Sequence, residues 1–325
     1  MATMAERSFA KVGTGQWEFE PYTKTIHRSS YPAISPTNPA NSAAGKVVLV
    51  TGGGAGIGLG ISRAFVEAGA KSVTILGRRE NVLAEGKAQL EKAGSSKNLT
   101  FQADVTDAKA LKAAFEGTEK ASGKVDVVVG NAGYMSAPSP AATAPIDDWW
   151  KTVSGLDMMP GSERIPLTTP QFEINIKGTL LTYQAWQGHV GTNSPTFISL
   201  NSGAGHATFP TVSAYCASKA GQAQVVNSLA AENPDVKIVT MHPGTIESEM
   251  NVKSGMPLSK DDISLPSSFA VWLASPGADF VQGLFLWSHW DVDELKAMKK
   301  EIKENEELTL SLRGWPKNVE ANVIA

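Results

Sequence analysis

Lys46-Val47-Val48-Leu49-Val50-Thr51-Gly52-Gly53-Gly54-Ala55-Gly56-Ile57-Gly58 carries an apolar run straight into a glycine-rich turn. Residues 46–51 read as a buried strand, and the apolar residues from Ile57 to Ala68 recur at helical spacing. Strand, glycine turn and helix start are the parts of a dinucleotide site. The glycines let the backbone approach a pyrophosphate, and the helix N-terminus presents N–H donors and a partial positive charge to it. The spacing Gly52, Gly56, Gly58 differs from the G-x-G-x-x-G fingerprint. A glycine-rich loop on its own also reads as an ordinary tight turn, and the all-apolar strand before it argues for the phosphate cradle.

Outward from this unit, strands and helices alternate. Short runs rich in Val, Ile, Leu or Phe predict strands at 46–51, 72–77, 99–103, 125–130, 196–200, 237–242 and about 281–287. Continuous apolar strands separated by helices indicate a parallel sheet covered on both faces. Right-handed crossovers then give an α/β, doubly wound, mainly parallel seven-stranded sheet of Rossmann type, with ligands at the strands' carboxyl ends. Residues 1–44, with four prolines, read as an extended arm. Residues 45–290 form one domain, with a proline- and tryptophan-rich insertion at 134–169 near the substrate. Residues 291–325 form an extension, a charged helix from Val292 to about Glu306 followed by a tail.

Composition excludes several classes. The 325 residues are 42% hydrophobic, enough for a full core. A net charge of −3 gives no electrostatic case for nucleic acid or anionic membranes. No apolar run approaches a membrane span, and the start has no secretory pattern, so the cytoplasm is expected. Cys216 is the single cysteine, which fits a reducing compartment. The five histidines lack metal-ligand spacing, so no metal is expected.

Tyr215-Cys216-Ala217-Ser218-Lys219 places a phenol and an ammonium four residues apart, on one face of a helix. An adjacent ammonium favours the phenolate and lowers a pKa normally near ~10. Such a tyrosine can exchange a proton with a carbonyl or alcohol oxygen. Ser202 lies 13 residues upstream. The plainer readings are a solvated Tyr–Lys pair and a serine that caps a turn.

With these elements in order, the chain resembles the short-chain dehydrogenase/reductase family over about 45–290. Thr51, Gly52, Gly54, Gly56, Ile57 and Gly58 match its cofactor loop. Asp104-Val105 matches the adenine-contacting pair, and Asn131-Ala132-Gly133 its Asn-Ala-Gly. Asn175 matches the proton-relay asparagine, and Ser202, Tyr215 and Lys219 the catalytic trio. Pro243-Gly244, with Ile246 and Ser248, matches the segment beside the nicotinamide. Asn201 departs from a usual serine, Ser248 from a threonine, and the stretch between Gly133 and Asn175 is longer than usual. The Ile34-Ser35-Pro36-Thr37 arm and the Trp290–Leu295 tail look like a fungal branch that includes enzymes near secondary-metabolite pathways.

The resemblance implies hydride transfer between a nicotinamide and a ketone or secondary alcohol, with Ser202 on the reacting oxygen and Tyr215 as acid. Lys219 would hold the ribose and, together with the charge of the oxidised nicotinamide, depress the phenol pKa, and Asn175 would position a water linking Lys219 to solvent. Asn175 also reads as a buried polar group that fixes a helix. The second strand ends in Gly77-Arg78-Arg79, with no acid to accept from a 2′-hydroxyl. Two guanidinium groups suit a 2′-phosphate, which selects NADP(H), unless they merely sit exposed at a helix start. Helices near 171–187 and 212–232, apolar on more than one face, imply a homo-oligomer built on a dimer. Segments 134–169 and about 245–265, with Trp149, Trp150, Met158, Met159, Met250 and Met256, would border the substrate or else form a satellite core that packs the long loop. The alternative is an NADP-binding protein with a non-redox role, as isomerase, cyclase or scaffold.

Overall fold

Val47–Thr51 (β1) lies inside a seven-stranded, wholly parallel sheet of order β3-β2-β1-β4-β5-β6-β7. The other strands are β2 (Ser72–Gly77), β3 (Lys97–Gln102), β4 (Val127–Gly130), β5 (Thr196–Leu200), β6 (Lys237–His242) and β7 (Phe285–Trp287). The computed structural model describes residues 21–147, 149–150, 171–254 and 261–311. The readings on Met158, Met159 and Met256 therefore lie outside the described residues. All seven expected strands are present, and the doubly wound Rossmann-like sheet is the observed fold.

Central strands are buried on both faces because helices cover both. On one side, Val48 and Val50 pack with Ile61 and Phe65 of α1 (Gly56–Glu67) and with Phe269 and Trp272 of α7 (Ser264–Leu273). On the other, Val47 and Leu49 pack with Phe115 of α3 (Ala108–Ser122), Trp186 of α4 (Gly178–Gln187) and Val226 of α5 (Ser213–Glu232). Helix α2 (Glu80–Ala93) follows β2, and α6 (Glu249–Ser254) follows β6. Alternate residues of a strand point to opposite faces, so a strand with both faces covered must be apolar throughout. β3 is the exception: it forms an edge, and its residues alternate towards solvent.

Two helices differ from expectation. The helix over 171–187 contains a π-helical turn, Glu173–Lys177, before α4. The charged C-terminal helix is two helices, α8 (Val292–Ala297) and α9 (Lys299–Glu304), separated at Met298. The described part of the N-terminal arm lies on this extension of its own chain. Glu294 accepts from Lys24 N and Thr25 N at 2.7 and 2.9 Å, His27 pairs with Asp291 at 2.8 Å, and Tyr31 is bonded to both Trp290 and Val292. Among the described residues, no helix is long and apolar enough to cross a membrane.

Candidate active site

The strand order reverses between β1 and β4, which opens a crevice beyond their carboxyl ends. Asn131, just past β4, closes its base. Its Nδ2 donates to Thr51 O at 2.9 Å and Gly52 O at 3.3 Å, while the backbone N–H groups of Asn131 and Ala132 donate to Thr51 Oγ1 at 3.0 and 2.9 Å. Gly52 and Gly56 have φ of +64° and +52°, the left-handed region that favours glycine. A Cβ on Gly58 would stand 2.5 Å from Asn131 Nδ2 and closer still to Gly52 O.

This loop fits a dinucleotide. Ala55, the residue before α1, makes no side-chain cap, and the first turn holds no acid, so the first N–H groups remain for an anion. A Cβ on Gly56 would meet nothing nearer than Ser248 at 3.9 Å, so the cradle faces the segment after β6 across open space. Ser248 itself accepts from Asn251 N at the start of α6. Ile57 is partly buried against the core, Ile246 is buried, and the Gly54 backbone packs on Val82 and Gly86 of α2.

At the sheet's far edge, Arg78 Nη1 lies 3.7 Å from Asp104 Oδ2, and Asp104 Oδ1 accepts from Thr106 N and Oγ1. Arg79 is the residue preceding α2. Val105 is buried against Gly178. Arg78 and Asp104, read separately from sequence, are thus neighbours.

The carboxyl ends of β5 and β6 bring the remaining residues together. The Ser202 side chain lies near the Tyr215 hydroxyl and favours its ionised form. Ser202 Oγ also accepts from Ala204 N at 3.2 Å, so the serine caps a turn as well. Lys219 Nζ lies 5.9 Å from the centre of the Tyr215 ring. The expectation of a lowered phenol pKa is not met here: burial pushes Tyr215 up to about 12, with the Ser202 side chain acting the other way. Burial also pushes Lys219 down to about 7. Desolvation of both groups outweighs the benefit of bringing them together.

Asn175 is fully buried and does not bond Lys219. Its Oδ1 accepts from Tyr134 N, and its Nδ2 donates to Tyr134 O and Ser218 Oγ, all at 2.9 Å. Its side chain fixes the loop after β4 to the π turn and to α5. Gly133 lies between Asn175 and Lys219, since a Cβ there would stand 3.4 Å from Asn175 Oδ1 and 3.7 Å from Lys219 Nζ. Lys219 Nζ donates instead to Gln222 Oε1 at 2.8 Å and Leu200 O at 3.2 Å.

Beyond β6, Pro243 and Gly244 are buried, and Gly244 has φ of +90°. Asp261 stands behind them, accepting from Thr245 N at 2.8 Å. Burial holds His242 well below the usual imidazole range, reinforced by His289 and His206, and Gly203 N donates to its Nδ1. Sequence reading missed Tyr134, Ser218, Gln222, His242 and Asp261. Only Ser218 and Gln222 carried a signal, each three residues along the helix from a selected residue.

Known proteins bear on this arrangement. The family model described as short chain dehydrogenase matches residues 46–257. A short chain dehydrogenase/reductase of Claviceps purpurea is 33% identical over 287 residues, covering 86% of this chain and 90% of that protein. The short chain dehydrogenase/reductase AacuD of Aspergillus aculeatus is 31% identical over 296 residues, covering 89% and 96%. Among solved structures, a short chain dehydrogenase of Burkholderia cenocepacia in complex with NADP superposes with a TM-score of 0.62 at 22% identity, covering 77% of this chain and 99% of the other. A 3-ketoacyl-(acyl-carrier-protein) reductase of Brucella melitensis, complexed with NADH, gives 0.63 at 23%, covering 76% and 97%. The chain belongs to the short-chain dehydrogenase/reductase family of oxidoreductases and is of its fungal type.

Proposed function

We propose that the protein is an NADP(H)-dependent oxidoreductase acting on a ketone or secondary alcohol, with Ser202, Tyr215, Lys219 and Asn175 at its catalytic centre. The observation that carries this reading is the gathering of Ser202, Tyr215 and the buried Lys219, its Nζ 5.9 Å from the Tyr215 ring centre, at the same end of the sheet as the uncapped glycine cradle. The nicotinamide, when bound, supplies or accepts the hydride. The chain does the rest. Thr51, Gly52, Gly54, Gly56, Ile57 and Gly58 hold the pyrophosphate, and Asn131, Ala132 and Gly133 shape the floor. Asp104 and Val105 take the adenine, and Arg78 with Arg79 the 2′-phosphate. Pro243, Gly244, Ile246 and Ser248 flank the nicotinamide.

A carbonyl oxygen gains negative charge as its carbon is reduced. Ser202 donates a hydrogen bond to that oxygen, and Tyr215, protonated throughout the neutral range because burial raises its pKa, gives it the proton. Lys219 binds the ribose hydroxyls and restores the proton to Tyr215. Asn175 acts by position, holding the Tyr134 backbone and α5 in register. Membership of the short-chain dehydrogenase/reductase family supports a small-molecule substrate, and the fungal relatives are consistent with a secondary metabolite. Partly buried Leu180, Leu181 and Val225 on α4 and α5 support a homodimer or tetramer built through these helices, which light scattering tests.

The test of function is loss of reduced-nicotinamide absorbance with NADPH and a panel of ketones, including aromatic polyketides. Turnover of at least one ketone is expected. Tight NADPH binding with no turnover across the panel would favour the non-redox alternative.

A further inference from the structure

Gln222 is fully buried on the same stripe of α5 as Tyr215, Ser218 and Lys219. Its Oε1 accepts from Lys219 Nζ at 2.8 Å. Its Nε2 donates to Ser199 Oγ at 3.0 Å, Leu200 O at 3.1 Å and Thr179 Oγ1 at 3.1 Å. The amide orientation is fixed by chemistry. Nζ can only donate and the Leu200 carbonyl can only accept, so a flipped amide would face repulsion on both sides. Thr179 Oγ1 in turn donates to Asn175 O at 2.8 Å, so the amide joins α5, β5 and the π turn.

A buried amide is costly unless its bonds are made, and an apolar side chain of similar volume would satisfy the packing alone. Such a side chain would leave Lys219, among the described residues, with Leu200 O as its single hydrogen-bond acceptor. An ammonium has three N–H donors. Gln222 and Leu200 take two, which sets the direction of the third.

We propose that Gln222 is a positioning residue: its side-chain oxygen anchors the Lys219 ammonium and leaves one Nζ donor for the nucleotide. This rests on the reading of Lys219 given above. The titratable groups that face Lys219 are Tyr215 on its own helix and His242 at the end of β6. No carboxylate pairs with it among the described residues, so the neutral Gln222 oxygen is its strongest side-chain acceptor.

The test compares Gln222→Leu, Gln222→Met and Gln222→Glu with wild type. Two readouts are followed against pH: kcat/KM for ketone reduction, and NADPH affinity from nicotinamide fluorescence. Removing the acceptor disfavours the ammonium, so Leu and Met should move the alkaline limb of both profiles to lower pH. A carboxylate at 222 favours the ammonium and should move both to higher pH, by about one unit or more. The isosteric Glu variant decides alone if the apolar ones do not fold. Unmoved profiles, or shifts of the same sign for Glu and Leu, would overturn the proposal. Lys219→Ala run alongside separates the two claims. If it matches wild type, the reading of Lys219 fails. If it is impaired while the Gln222 series is unmoved, only the role of Gln222 fails.

Discussion

Arg28 Nη1 donates to Asp261 Oδ1 at 2.9 Å, and the other oxygen of that carboxylate accepts from Thr245 N and His289 Nε2, both at 2.8 Å. One buried carboxylate therefore joins the N-terminal arm, the segment after Gly244 and the end of β7. Burial alone would raise the Asp261 pKa, but the bonds from His289, Thr245 and Arg28 outweigh it and hold the carboxyl below its usual range. A lowered carboxyl pKa contributes stability above the ordinary carboxylate range, and that stability is lost as pH falls through the lowered value.

Asp261→Ala should cost about 3–5 kcal/mol, because it strands buried partners. Arg28→Ala should cost only about 1 kcal/mol, since the guanidinium is half exposed. Urea denaturation at neutral and acidic pH checks both: the gap between wild type and Asp261→Ala should narrow on acidification.

Gly58→Ala should abolish tight cofactor binding. A methyl group there cannot coexist with Gly52 O and Asn131 Nδ2 without moving the turn. Overpacking of this kind costs about 1–3 kcal/mol of stability, and the larger effect falls on the cradle's shape. Parallel NADPH titration and thermal melts separate the two: affinity should fall much further than stability.

Lys219 is lowered to about 7 in the fold. Between that value and the ordinary lysine value, the unfolded chain binds more protons than the native one, so stability should rise with pH across this window. Lys219→Met lacks this dependence. Without cofactor, it should therefore gain most relative to wild type below pH ~7 and least near pH ~9. Melting temperatures across that range are the measurement, and a constant offset between the two proteins would remove the claim of a strained ammonium.

Arg78→Ala should weaken NADPH by about 10- to 150-fold, the equivalent of a charge-assisted hydrogen bond of roughly 1.5–3 kcal/mol, and leave NADH nearly unchanged. A Cβ on Gly77 would have an ordinary 3.7 Å contact with Leu83, so an acid fits there. Adding Gly77→Asp to Arg78→Ala should turn the preference towards NADH. The ratio of kcat/KM for the two cofactors reads both effects.

Legibility followed covalent pattern. Val47–Thr51 and the glycines after it announce themselves because strand burial and positive φ each demand particular residue types. β3 was less plain, since an edge strand alternates in exposure. The break at Met298 has no Gly or Pro to mark it, and the π turn around Asn175 depends on what Asn175 bonds in the fold. Arg28 meets Asp261 across 233 residues, and no spacing rule reaches that far. The Tyr215–Lys219 pair shows a further limit: the i,i+4 spacing is visible in sequence, but the depth of burial that reverses the expected pKa is not.

The most direct measurement is NADPH-dependent ketone reduction by wild type and Tyr215→Phe, with NADPH affinity measured on both. Phe keeps the ring and loses the proton that Tyr215 is assigned to deliver. Turnover should fall by about 10²- to 10⁴-fold while NADPH still binds, the loss expected for a general acid. Near wild-type turnover in Tyr215→Phe would contradict the account.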